Sequence, residues 1–239
     1  MELNPVQHDA LVELLNIGFG RAGASLSKLT QQRVLLEVPQ VDVHPVTHLT
    51  QSLSRLMDER VASVHQVFSG PVAGDALLLL DPIAAATLTE LLTDVRSLSL
   101  DLDPSTREVF TEVGNVVLNA CIGTFGNLLH IPVSFSVPDV DVSSVTTVID
   151  RMVESGDALR YALVVTAGFR LRESAVTGYV VIVLTVQSLK RLLDALDRWQ
   201  RRAHHREERA HAHARLPATP RLRLAALRAG GSAHRQGAG

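Results

Sequence analysis

Two pairs of residues in this 239-residue chain are spaced to do chemistry together: Glu13 with Asn16, and Glu112 with Asn115. Residues three apart on a helix project side by side, so each pair sets a carboxylate next to a carboxamide. The carboxylate can hold a cationic group, and the carboxamide both donates and accepts hydrogen bonds. Such a set can position a water molecule, although it contains no strong base. Each pair extends into a polar stripe at steps of four, three and four: Asp9, Glu13, Asn16 and Gly20 in one copy, Glu108, Glu112, Asn115 and Asn119 in the other. Any solvated helix face can carry one such stripe without a function. An identical Glu-x-x-Asn at the same helical phase, recurring 99 residues later, is what singles these two out.

The other chemistry-bearing residues fit plainer roles. Cys121 falls on an apolar helix face and reads as packing. Ser25 and Ser27 have no His and Asp in a triad pattern. His44, His48, His65 and His130 show no metal-ligand spacing, so no metal site is expected. The run Gly18-Phe19-Gly20-Arg21-Ala22-Gly23 matches the dinucleotide fingerprint. That motif needs a strand before it, whereas here the helical phase runs straight through the glycines.

The elements that must carry the stripes repeat with them. Val38-Pro39-Gln40-Val41 returns as Val137-Pro138-Asp139-Val140 at the same spacing of 99, and the apolar run after Gly74 returns after Gly178 at a spacing of 104. Each half predicts a long helix (6–30 and 104–130), a short strand (33–38 and 132–137) and a second helical segment (47–58 and 143–154). Two antiparallel strands follow (60–69 with 73–80, and 158–170 with 177–185), then a closing helix (83–95 and 187–199). The expected core face of the first long helix is Leu11, Leu15, Gly18, Ala22, Leu26 and Leu29. That of the second is Phe110, Val113, Val117, Cys121, Thr124 and Leu128. The class is α+β with pseudo-two-fold symmetry, a central antiparallel sheet drawn from both halves and flanked by the two long helices. Neither half alone would cover both faces of that sheet.

Charge divides the chain unevenly. Residues 201–239 hold 9 Arg, 2 Glu and 5 of the 10 His, leaving 14 basic and 23 acidic residues in 1–200. The expected organisation is a working domain over 1–200, in halves of about 1–99 and 100–200, and a basic, disordered tail over 201–239. The tail lacks the interleaved aromatics that nucleic-acid binding favours, so no nucleic-acid partner is expected. One Cys rules out a disulfide framework. There is no signal-like leader and no apolar run of membrane-spanning length, which predicts a cytoplasmic protein with no membrane partner. A monomer is expected, because the internal symmetry already buries the sheet.

These residues resemble the CheC/CheX/FliY family of chemotaxis phosphatases. The family signature is Asp or Ser, three residues, Glu, two residues, Asn, then Pro after 22 more. Asp9, Glu13, Asn16 and Pro39 fit it fully; Glu112, Asn115 and Pro138 fit it with Glu108 in the Asp/Ser slot. Leu15-Asn16-Ile17-Gly18-Phe19-Gly20-Arg21-Ala22 is also similar to the family's first helix. The resemblance covers roughly residues 5–198, and two copies without a switch-protein domain are most similar to CheC. It implies hydrolysis of the aspartyl phosphate of the response regulator CheY. Asn16 and Asn115 would hold the attacking water, and Glu13 and Glu112 would pair with the regulator's active-site Lys. Asp9, Gly20, Glu108 and Asn119 would line the docking face. The chain would bring no cofactor, with Mg²⁺ arriving on the regulator. The alternative is a non-catalytic adaptor that binds the receptor deamidase CheD or sequesters phosphorylated CheY.

Overall fold

The computed structural model describes residues 3–57, 59–93, 103–154, 160–171 and 174–214. Two long helices dominate, α1 (Pro5–Thr30) and α4 (Pro104–Leu129). Each opens with Pro at its first position, where no N–H is needed. Asn4 caps α1 in a reciprocal capping box with Gln7, and Asp103 caps α4 through the Thr106 N–H. Each closes on a left-handed residue, Gln31 or His130. Starts and stops therefore keep the spacing of the two motifs.

Between and after them lie β1 (Val34–Pro45), α2 (Leu49–Leu53), β2 (Arg60–Ser69), β3 (Gly74–Leu80) and α3 (Pro82–Thr93) in the first half. The second half has β4 (Ser134–Phe135), β5 (Asp139–Ser144), α5 (Val145–Glu154), β6 (Arg160–Leu171), β7 (Ser174–Thr185) and α6 (Val186–Ala214). The seven strands form one antiparallel sheet in the order β1-β6-β7-β3-β2-β4, with β5 also on β2. β3 and β7 meet at its centre, Gly74 opposite Leu184. Each half lends its first strand to the other half's hairpin. β1 pairs with β6, from Val34 opposite Leu171 to Pro45 opposite Tyr161. β5 pairs with β2, from Arg60 opposite Ser144 to His65 opposite Asp139.

The sheet is covered on both faces. Leu11, Leu15 and Phe19 of α1, Phe110 and Val117 of α4, Leu88 of α3 and Leu192 of α6 pack on one side, against Leu78 and Ile182. Leu49 and Leu53 of α2 and Ile149 and Met152 of α5 pack on the other, against Leu77, Leu79, Val181 and Val183. This is why the two central strands read as continuous apolar runs. α4 is long and apolar enough to cross a membrane by length and composition, and half of its apolar window is buried in this packing.

Five expectations need correction. The strand expected over 132–137 pairs only at Ser134–Phe135, and a second strand follows at Asp139–Ser144. Leu29 is 57% exposed rather than core, because it lies one step past the last turn that meets the sheet. Leu128 is half-buried, and its neighbour Leu129 takes the inner position. The first strand does not stop at Pro39 but runs to Pro45, shifting register between Glu37 and Gln40. A bulge tolerates a residue without an N–H inside an edge strand. The closing helix α6 continues to Ala214 rather than ending near 199. Ala, Arg, Glu and Gln have high helix propensity, and no Gly or Pro interrupts them before Pro217. Residues 203–239 form a unit separate from Met1–Arg202, and the part of the tail over 215–239 lies outside the described residues.

Gly18 fixes how closely the long helices approach: a Cβ there would stand 3.1 Å from the Cys121 Cα and 3.2 Å from the Ala120 carbonyl oxygen. Gly114 does the same for α4 on the sheet, where a Cβ would stand 2.5 Å from a Val64 methyl. We expect Gly114→Ala to cost about 1–3 kcal/mol through overpacking. Gly20→Ala, with nothing within 4 Å of the added carbon, should instead gain up to ~1 kcal/mol of helix propensity. Urea denaturation of the two variants checks the opposite signs.

Candidate functional site

Packing the apolar faces of α1 and α4 on the sheet turns both polar stripes outward. Asp9, Glu13, Asn16 and Gly20 are all exposed on α1. On α4, Glu108 and Glu112 are exposed, while Asn115 and Asn119 are half-buried. The structure thus places each predicted set along one helix face, and it does not mix the two sets.

The second set is built into a hydrogen-bonded network. Gln66 Nε2 donates to the Ser136 backbone carbonyl at 2.8 Å and to Asn115 Oδ1 at 3.4 Å. Asn119 Nδ2 donates to the same Oδ1 at 2.6 Å. A backbone carbonyl only accepts, so it fixes the Gln66 amide, which in turn fixes that of Asn115. Ser136 sits in the break between β4 and β5, and its hydroxyl also accepts from the Val67 N–H at 2.9 Å. Pro138 closes that break just before β5 begins at Asp139. Pro39 and Pro138 therefore both mark interruptions of an edge strand.

A groove of about 380 Å³ runs beside this network, lined by Arg21 and Ser25 of α1 and by Asn115, Asn119, Gly123 and Thr124 of α4. Arg21 reaches across it, donating to Thr124 Oγ1 at 3.5 Å. The groove mixes apolar walls at Val116 and Ala120 with amide and hydroxyl groups, and the Arg21 guanidinium gives it one positive charge. Gln66, Ser136 and Arg21 were not among the candidates from sequence. The repeat held the clue for Gln66, since the residue 99 positions later is the apolar Val165.

The glycine run from Gly18 to Gly23 lies within α1, with no strand before it. Among the described residues there is no group of three or more His, Cys, Asp or Glu that could hold a metal ion. Cys121 is fully buried, and burial pushes its thiol well above the ordinary value, which disfavours a nucleophilic thiolate.

No family profile matches the chain. In sequence it is 24% identical over 149 residues to the flagellar motor switch phosphatase FliY of Bacillus subtilis, a match covering 61% of this chain. The chain spans 38% of that relative's length. In structure it matches FliY from Thermotoga maritima with a TM-score of 0.68 and 18% identity, over 83% of this chain and all of that one. The chain has the FliY fold. The resemblance to the CheC/CheX/FliY group read from the two long helices stands with it. The FliM middle domain from H. pylori shares the FliY fold as well, at a TM-score of 0.58 and 13% identity, over 81% of this chain and 99% of that one.

Because Cys121 sits behind the crossing of α1 and α4, we expect it to resist maleimide at neutral pH in the folded chain. It should react at an ordinary rate once the chain is unfolded in urea, and mass spectrometry distinguishes the two.

Proposed function

We propose that this chain is a phosphatase that hydrolyses the aspartyl phosphate of the response regulator CheY. The observation that carries the reading is the pair of outward-facing Glu-x-x-Asn sets, one on each long helix of a FliY-type fold. The sequence relative from Bacillus subtilis bears the name of a phosphatase, and its activity is carried to this chain only as part of this proposal.

The residues suit the reaction. An acyl phosphate is already activated, so hydrolysis calls for an in-line water and stabilisation of spreading charge more than for a strong base. Asn16 and Asn115 would reach into the regulator's site and orient that water. Glu13 and Glu112 would pair with the regulator's active-site Lys, an ion pair that strengthens as docking excludes solvent. Asp9, Gly20, Glu108 and Asn119 would meet the regulator's surface around them. Gly20 leaves room for close approach, with nothing within 4 Å of its missing side chain. Glu108, four residues before Glu112, adds like-charge repulsion of roughly 0.2–0.5 kcal/mol along the helix, which would weaken docking at the second set. The Mg²⁺ would come bound to the regulator. CheD is a further partner under this proposal, through a surface the motifs do not define.

The test is the decay of phosphorylated CheY with the wild-type chain, Asn16→Ala, Asn115→Ala and the double variant. We expect each single variant to keep part of the acceleration and the double variant to lose it, by on the order of 10²-fold or more. Glu13→Lys should raise KM more than it lowers kcat. Unchanged decay with wild type, accompanied by binding of the phosphorylated regulator, would replace the phosphatase by a sequestering adaptor.

A further inference from the structure

The two motifs are alike in sequence and unlike in their support. Gln66, on β2, is 2% exposed, and at the corresponding place on β6 stands Val165, 0% exposed. The hairpin register matches them, with Gln66 opposite Ala76 and Val165 opposite Val180; the register with the first strands, where Val140 faces Val64 and Val41 faces Val165, instead sets Ala167 in its place. By either register the β6 counterpart is a residue type with no hydrogen-bonding side chain. Asn119 likewise corresponds to Gly20. Asn16 therefore has neither of the donors that hold Asn115, and among the described residues no hydrogen bond engages its side chain.

Those donors have a chemical consequence. An amide oxygen offers two lone pairs, and Gln66 Nε2 and Asn119 Nδ2 occupy both on Asn115 Oδ1. What Asn115 has left to offer is its Nδ2. Core packing does not account for Gln66, since the β6 counterpart is apolar, Val165 by the hairpin register and Ala167 by the register with β1. The Gln66 Oε1 is buried without a partner, which is costly for a fold to keep. Its amide nitrogen is spent on Asn115 and on the Ser136 carbonyl that aims it.

We propose that Gln66 is a positioning residue for the second motif, locking the Asn115 carboxamide with its oxygen inward and its NH₂ outward. Asn115 then acts as a hydrogen-bond donor, to a phosphoryl oxygen or to the oxygen of the attacking water. Asn16 keeps both a donor and an acceptor. The two sites thus hold the water differently: Asn16 can accept one of its protons, whereas Asn115 cannot. This inference rests on the phosphatase reading.

The experiment uses the Asn16→Ala chain, in which only the second motif acts, with Gln66→Val or Gln66→Met added and Asn115→Ala as the floor. Turnover of phosphorylated CheY is followed at several regulator concentrations, with thermal unfolding of every variant. The expected result is a loss in kcat on the order of tenfold, about the rate equivalent of one hydrogen bond, with KM within about twofold. Gln66→Val introduces an apolar side chain of the kind that flanks Gln66 on the same face of β2, Val64 and Phe68, both buried. An unchanged kcat, or a loss confined to KM, overturns the inference and leaves the phosphatase reading in place. So does an Asn16→Ala chain already at the floor. No acceleration by wild type overturns both. A second measurement is independent of turnover: in side-chain amide NMR spectra, Asn115→Ala should shift the Gln66 and Asn119 NH₂ signals, and unmoved signals would sink the lock.

Discussion

The close approach of α1 to α4 is the constraint on which the rest depends. At Gly18 even a Cβ would crowd the other helix, 3.1 Å from the Cys121 Cα and 3.2 Å from the Ala120 carbonyl oxygen. The helices can lie this near each other only because the sheet beneath is continuous, each half lending its first strand to the other half's hairpin. With the apolar faces of both helices committed to the sheet and to each other, the opposite faces are left to solvent. Those are the faces that carry Glu13 and Asn16, and Glu112 and Asn115. The orientation of the motifs is thus a by-product of core packing, whose driving force far exceeds anything the exposed polar residues contribute.

Given that frame, the difference between the two motifs comes from a few supporting residues. A buried Gln on one inner strand, where the counterpart strand offers only apolar residue types, leaves the fold alike and the two carboxamides unlike. Asn115 is held by Gln66 and Asn119, with Arg21 across the adjoining groove. Asn16 stands exposed beside a glycine. A duplicated site can diverge in this way without disturbing the scaffold, because the second motif draws its support from strands of both halves. β5 and the break before it, which supply the Ser136 carbonyl, belong to the same half as Asn115, whereas Gln66 comes from the other.

Much of this was legible in the residues themselves. Helical phase located both stripes and most of the core, and the repeat predicted paired elements and a sheet drawn from both halves, though not the exchange of first strands between hairpins. The misses have physical causes. A helix-phase argument treats every turn alike and so placed Leu29 inside, although the chain has left the sheet by then. Pro39 reads as a stop in isolation, but an edge strand can absorb it as a bulge. The composition of the tail argued for disorder, yet local propensity carries α6 on to Ala214 from a start packed in the core. Gln66 escaped notice because a single polar residue in a partly alternating strand looks solvent-facing. It lies beneath Asn115 of α4 and bonds the Ser136 carbonyl, tertiary partners that no local pattern announces.

The most direct test of the account is the structure of this chain bound to CheY loaded with Mg²⁺ and beryllofluoride, a mimic of the acyl phosphate. The account predicts that the carboxamide of Asn16 or Asn115 lies within hydrogen-bonding distance of the beryllofluoride, with the neighbouring Glu13 or Glu112 on the regulator's Lys. A regulator docked on the α2 and α5 face, with both asparagines remote from the phosphoryl mimic, would contradict it.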